Sequence, residues 1–298
     1  MCVTNLTAHS RGVGRDEPVP SRTRASHGHA ARRLLAIGLA AALAAWPARI
    51  GLADEPELPD SSDFTRSEAV LDTLPAVEQP FRPGESLRFA VQYGFIHAGS
   101  AWLEVPDVEE WNGHRAWHLV ARAESNPFFD KVYKVRNRIE SLWDQDERFS
   151  WRYLEDRHEG HFNANDTMVF EPDSSRMRYK NGQTYPVPGP VQDALSSFYL
   201  TRFRALPMGG RIAFDYHASR KTAPMEVLVI GRQKVKTPAG TFRCVLVEPL
   251  LKAGGIFKNK GRLWIWLTDD DRRIPVLMKS KVMIGSVKVV LQEVTGGS

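Results

Sequence analysis

The sequence predicts a mainly β protein, an antiparallel β-barrel or rolled sheet of about a dozen strands with one amphipathic helix plugging or covering it. Three observations predict it. From Phe81 onward apolar and polar residues alternate with period two, as in "ESLRFAVQY" at Glu85–Tyr93. Such runs recur at short spacing, separated by Gly, Pro, Asn and Asp clusters. One segment, "GPVQDALSSFYLTRFRAL" at Gly189–Leu206, breaks the alternation with helical spacing. No strand–helix–strand alternation occurs, so a parallel sheet is not expected. A sheet rolled on itself also hides most of its edges.

At the front, Arg32-Arg33 precedes the apolar run Leu34–Trp46. That is the layout of a signal peptide, too short for a bilayer span. Residues 1–53 are expected to be leader and signal, with cleavage after Gly51–Ala53. The chain's 40 basic and 35 acidic residues fall to 33 of each once the seven arginines and two acids of residues 1–53 are set aside. The basic balance therefore belongs to the leader and implies no nucleic-acid partner. Cys2 lies in the leader and Cys244 is the other cysteine. The mature chain can hold no internal disulfide and is not expected to be a lipoprotein. The expected location is periplasmic or secreted, with no transmembrane span in the mature chain.

Residues 54–80 are acidic and proline-bearing, an expected linker or arm with a helical turn near Arg66–Leu74. Residues 81–296 are expected to form a single β-barrel-like domain. Its strands begin with "GESLRFAVQYG", "GSAWLEV", "HRAWHLVARAES" and "KVYKVRNRIES", each with one wet and one buried face. "FSWRYLED", "EGHFNAND" and "TMVFEP" follow, then "RMRYKNGQTYPV", whose Asn181-Gly182 marks a hairpin. After the helix come "RIAFDYHA", "MEVLVIGRQKVKTP", "GTFRCVLVEP", "GRLWIWLTDD", "IPVLMKSKVM" and "GSVKVVLQEV". Turns are expected at Gly254-Gly255 and Ile284-Gly285-Ser286, among others.

In the helix, about 190–206, Pro190 suits the first helical position, where its missing N–H is harmless. Val191, Leu195, Phe198, Tyr199 and Leu206 gather on one face, with Asp193, Ser197 and Leu200 opposite. Arg202 falls inside the apolar stripe. Either it snorkels to water from near the helix end, or it forms a buried two-pronged pair with a carboxylate. Strand-borne candidates for that partner are Glu124, Glu140 and Glu155. Asp193, Tyr199 and Arg202 are thus the candidate buried-charge or helix-lid residues.

The helix spacing, Gln192-Asp193, Leu195-Ser196, Tyr199 and Arg202, resembles that of a family of exported bacterial proteins, domain-of-unknown-function family thirty-one-oh-eight. Gly84-Glu85, Tyr93-Gly94, Ala98-Gly99, Ser125 with Phe129-Asp130, "TPAGTF" with Cys244, and "RLWIWLTDDDRRIPVLMKSKVMIGSV" carry the same resemblance. It implies a β-barrel-like fold similar to the YmcC type and transfers no catalytic residue.

Chemical motifs are sparse. His114 and His118 alternate along a strand rather than a helix, and "HEGH" lacks the zinc-protease spacing, so no metal site is assigned. No nucleophile elbow or phosphate loop occurs, and no cofactor is expected. Cys244 reads as a buried thiol. Trp264 and Trp266 share a strand face, and Phe128 and Phe129 flank a strand start. These four are either barrel core or the lining of a ligand cavity. The expected function is that of an exported cell-envelope protein, a non-catalytic binding module for a lipid, a glycan (polysaccharide) or an envelope partner protein. The alternative is an envelope hydrolase or transferase with an unrecognised active site.

Overall fold

A computed structural model describes residues 77–251, 262–281 and 286–297. The signal run, its cleavage site, the helical turn near 66–74 and the turns at 254–255 and 284–285 lie outside the described residues.

The strands are β1 Glu85–Tyr93, β2 Ile96–Val105, β3 Val108–Trp111, β4 His114–Ser125, β5 Val135–Asp144, β6 Ser150–Glu159, β7 Phe162–Glu171, β8 Arg176–Tyr179 and β9 Thr184–Pro186. Then follow β10 Arg211–Ala218, β11 Lys221–Thr237, β12 Gly240–Leu251, β13 Arg262–Thr268, β14 Pro275–Lys281 and β15 Ser286–Thr295. A short helix α1, Pro127–Asp130, sits between β4 and β5, and α2, Ala194–Phe203, sits between β9 and β10. "EGHFNAND" is not a strand of its own: Gly160-His161 is the turn between β6 and β7, because Gly160 takes a positive φ of 60°. The four-residue β3 is too short to show a period in sequence.

All strands join one sheet in the order β10-β11-β12-β13-β14-β15-β1-β2-β4-β5-β6-β7-β8-β9, with β3 on β4. Every ladder is antiparallel, and the C-terminal strand β15 pairs β1. The sheet is rolled but not closed. Its end strands β9 and β10 do not pair; an isolated parallel bridge, Gln192 to Tyr216, spans the seam. Buried inward residues such as Leu87, Phe89, Leu103, Leu119, Val245 and Leu291 fill the roll.

Antiparallel order sends successive connections to opposite ends. At one, the loop end, lie the β1–β2 turn, α1, the β6–β7 turn and the β10–β11 turn. At the other, the helix end, lie β3, the 145–149 and 172–175 turns, and the 187–210 connection that carries α2.

The helix starts at Ala194, later than Pro190 suggests. Asp193 is the N-cap: its Oδ1 accepts from Leu195 N at 2.7 Å and Ser196 N at 2.8 Å. Ser196 Oγ in return accepts from Asp193 N at 2.8 Å, a capping box. A side chain that satisfies two otherwise orphaned N–H groups outweighs a proline that merely tolerates the position. Ser197 and Leu200, opposite the expected apolar stripe, are buried as well. The helix packs inside the roll rather than lying on its mouth, so nearly every side meets protein. Phe81 holds it there, meeting Tyr199 and Phe203 edge-on at 4.9 and 5.2 Å and Trp117 at 5.1 Å.

Candidate functional site

Arg202 is fully buried and does not snorkel. Its Nη1 donates to Glu85 Oε1 at 2.7 Å and its Nη2 to Glu85 Oε2 at 3.0 Å. Nη2 also reaches the carbonyls of Pro80 and Arg272 at 3.1 and 3.0 Å. The carboxylate is equally hidden, with 0% of its side chain exposed. Phe81 and Tyr199 flank the guanidinium at 5.0 and 5.3 Å. The partner is thus Glu85 and none of Glu124, Glu140 and Glu155. Glu124 is exposed at the loop end. Glu140 binds His118 and Arg138, and Glu155 lies near Arg157. The end of α2 meets the start of β1, not the middle of β4–β6. Tyr199 is buried in the same cluster; burial raises its phenol pKa, and its hydroxyl finds no hydrogen-bond partner among the described residues.

Asp193 is buried too, not on a wet face. Besides the two helix N–H groups, its Oδ2 accepts from Ser141 Oγ at 2.6 Å and Ser150 Oγ at 2.5 Å. Burial raises its pKa, and those hydrogen bonds oppose the shift. Beside it, Gln192 accepts from Trp143 Nε1 at 3.0 Å and donates to the Arg148 carbonyl at 2.5 Å. Asp193 and Arg202 therefore anchor opposite ends of α2 to different strands.

A cleft opens along the seam, where β6, β7 and β8 face β10. Tyr153, Met168, Tyr179, Tyr216 and His217 line it with Glu155, Arg157, Phe162, Asp166, Ser219 and Arg220. Its internal volume is about 50 Å³. His217 is 1% exposed, with Nε2 3.1 Å from Tyr179 Oη and Nδ1 2.9 Å from Thr222 Oγ1. The Tyr179 oxygen already accepts the Arg220 N–H at 2.8 Å. Burial lowers the His217 pKa to about 4 and raises that of Tyr179 to about 12. The result is a neutral, doubly hydrogen-bonded histidine beneath a charged rim. Arg157 is held in that rim by Glu159 at 2.7 Å. Ser219 and Arg220 turn the chain with positive φ of 50° and 69°.

The other sequence candidates lie elsewhere. Phe128 is 67% exposed on α1, and Phe129 is half-buried against the core. Trp264 and Trp266 are buried in that core, 4% exposed each. None of the four lines the seam cleft or a second, smaller apolar recess between α2 and β10–β13. His118 meets the carboxylates of Asp107, Glu109 and Glu140 at 3.4, 3.0 and 3.0 Å, at the helix end. Cys244 is buried, with its thiol pKa pushed up to about 12. The seam residues escaped the sequence reading because they come from separate strands with no shared motif; "DYHASR" held the one local hint, a histidine beside a tight turn.

A rolled antiparallel sheet around an internal helix places the chain in the class of β-barrel-like proteins. A family profile described as "Protein of unknown function (DUF3108)" matches residues 88–292, and the chain belongs to that family. Among solved structures, a β-barrel-like protein of domain of unknown function DUF1849 from Brucella abortus aligns at TM-score 0.51 and 9% identity. That alignment covers 72% of this chain and 98% of the other. A protein described as exported and YmcC-like in fold, from Bacteroides fragilis, aligns at TM-score 0.35 and 13% identity over 73% and 98%. A protein described as a lipoprotein, from Parabacteroides distasonis, aligns at 0.33 and 12% over 75% and 100%. The first of these alignments supports the fold. A search of curated proteins finds no match.

Proposed function

We propose that this chain is an exported, non-catalytic binding module of the cell envelope, and that the seam cleft takes a polar, glycan-type ligand. One observation carries the reading: the cleft combines buried tyrosines with a rim of Glu155, Asp166, Arg157 and Arg220. Such a rim offers both donors and acceptors to a hydroxyl-rich ligand. A volume near 50 Å³ is far below the roughly 300–1,000 Å³ of sites that enclose drug-sized molecules. The cleft thus suits part of a chain lying across it and argues against an enclosed acyl chain. His217 supports binding over catalysis, because both its nitrogens are committed to neighbours and burial keeps it neutral. Export rests on Arg32-Arg33 and the Leu34–Trp46 run. Neither Cys2 nor Cys244 stands beside Ala53, so the reading includes no lipid-modified start there.

The test is calorimetric titration with envelope oligosaccharides. Asp166→Ala and Arg220→Ala are expected to weaken binding by about tenfold or more each, roughly the loss of one charge-assisted contact. Unchanged affinity in both variants, or hydrolysis of the oligosaccharide, overturns the reading.

A further inference from the structure

The residues that carry this inference are the large apolar side chains left in water. Among the described residues these are Phe95 (80% exposed), Phe128 (67%), Met208 (51%), Ile96 (48%), Val132 (47%) and Phe162 (38%). All but Met208 stand on the loop end, on the turns between β1 and β2, around α1 and between β6 and β7. They cannot be leftovers of core packing, since strand interiors fill the roll without them.

Hydrogen bonds tie these turns into one rim. Asn126 caps α1, donates from its backbone to Ala98 O at 2.9 Å and from Nδ2 to His97 O at 2.6 Å. That seats α1 beside the Phe95–Ile96 turn. On its other side the Tyr133 ring covers Gly160, where a Cβ would lie 2.7 Å from it, and Gly160 N donates to Lys134 O at 2.8 Å. Asp130 is bound to Arg136 at 2.6 Å, which fixes the turn from below. Three aromatic tips thus stand on successive turns along the sheet, each about two strand spacings, roughly 10 Å, from the next.

Charge at the loop end is mostly of one sign. Lys131, Lys134, Lys180, Arg220, Lys221 and Lys281 are exposed at the loop end. The acids nearby are Glu124, which is exposed, and Asp130 and Glu159, which are held by Arg136 and Arg157. The helix end is mixed, with exposed Asp107, Glu110, Asp146, Glu147, Asp173 and Asp270 among exposed Arg82, Arg115, Arg176, Lys236 and Arg243. β2 separates the two with ten residues, roughly 30 Å of strand at about 3.3 Å each. That is several Debye lengths at physiological salt, about 8 Å each. A surface touching the loop end therefore feels the cations and little of the acids. The zero net charge outside the leader conceals a local excess of cations at the loop end.

We propose that the loop end is a docking face for an anionic membrane surface, with Phe95, Phe128 and Phe162 inserted at headgroup depth and the lysines reaching lipid phosphates. Aromatic side chains favour that interface, and lysines extend their charge to it from apolar surroundings. The rim is a row of separate convex tips, which a fluid headgroup layer can envelop. A protein partner needs a contiguous, complementary patch instead.

The test uses the full chain carrying Cys2→Ser, with an environment-sensitive fluorophore on His161→Cys at the loop end or Asp173→Cys at the helix end. Cys244 is buried and stays unlabelled. With phosphatidylcholine vesicles containing phosphatidylglycerol, the label at position 161 should shift to the blue and the label at 173 should not. Added salt, or vesicles of phosphatidylcholine alone, should diminish the shift. Phe95→Ser, Phe128→Ser and Phe162→Ser combined should lower partitioning at least tenfold, and Phe95→Ser with Phe128→Ser alone should lower it with the thermal midpoint retained, since those two are 80% and 67% exposed whereas Phe162 packs under Arg157. Lys131→Glu with Lys134→Glu should abolish the preference for phosphatidylglycerol. Equal shifts at both positions would mean that the leader, not the rim, drives adsorption, and would overturn the proposal. So would no shift at either, which leaves the rim to a protein partner, or a triple-serine variant that partitions like its parent.

Discussion

Glu85 and Arg202 stand 117 residues apart in sequence, yet their side chains meet through two hydrogen bonds of 2.7 and 3.0 Å with no access to water. One begins the first strand and the other lies near the end of the internal helix. The pair therefore ties the two ends of the rolled sheet's history together: strand β1, laid down early in the chain, and a plug contributed between β9 and β10.

Arg202→Ala is expected to lower stability by about 3–5 kcal/mol, because it leaves a buried carboxylate without its counter-ion. Arg202→Lys should recover little of this, since one ammonium cannot reproduce the two-pronged contact and also reach Pro80 O and Arg272 O. Urea denaturation of the three proteins checks it. A loss under about 1 kcal/mol for Arg202→Ala, the range of a solvated pair, contradicts a buried pair at this position.

How far this arrangement could be read in advance depends on the range of each interaction. Strand alternation is local, and β1 through β15 follow it wherever one face turns inward. The spacing of Leu195, Phe198, Tyr199 and Arg202 is also local, so the helix and an arginine on its apolar stripe were legible, but not whether that arginine is buried or reaches water. Glu85 was not: three other strand acids were the candidates on sequence grounds, and only the rolling of β1 against α2 brings Glu85 to Arg202 in their place. The start of α2 was misplaced for the same reason. Asp193 prevails as a cap with Ser141 and Ser150 of β5 and β6 around it, and nothing near Pro190 announces those hydroxyls. The seam cleft was illegible altogether, since Tyr153, Tyr179 and His217 meet only when distant strands face across an unpaired edge.

His217 gives the fold a pH dependence. Its pKa is lowered by burial from the usual 6.5 to about 4, so the unfolded chain binds the proton first as pH falls. Stability from this group is complete above about pH 6.5 and declines as pH falls toward 4, by about 1.4 kcal/mol per pH unit within that window. Between pH 6.5 and 5 the expected loss is about 1.5 kcal/mol. His217→Gln should remove that slope while remaining folded. Guanidinium unfolding of both proteins at the two pH values measures it, and parallel losses would assign the slope to other groups.

Export is checked at the N-terminus. Arg32-Arg33 and Leu34–Trp46 form a charged and an apolar region ahead of Gly51–Ala53. Protein recovered from the envelope fraction of the producing cell is expected to begin near Asp54, and Edman sequencing reads this directly. Full-length chain retained in the cytosol would contradict it.

Asp193 separates the role of a hydrogen-bond acceptor from that of a charge. Its Oδ1 accepts two helix N–H groups and its Oδ2 two serine hydroxyls, all buried. Asp193→Ala deletes every acceptor. The helix loses its cap, about 1 kcal/mol, and the two hydroxyls must find other partners, at about 1 kcal/mol or more each, so a loss near 3 kcal/mol is expected. Asp193→Asn keeps one carbonyl oxygen for the helix, and its amide can donate to hydroxyls that rotate to accept. Because burial already raises the pKa of this carboxyl, removing its charge relieves desolvation as well as weakening hydrogen bonds. Asn is therefore expected to cost under about 1 kcal/mol, in line with its standing as an N-cap equal to Asp. Denaturant titration with helical circular dichroism distinguishes the two substitutions. Equal losses for Ala and Asn would mean that the negative charge itself, and not the four hydrogen bonds, holds the start of α2 in the roll.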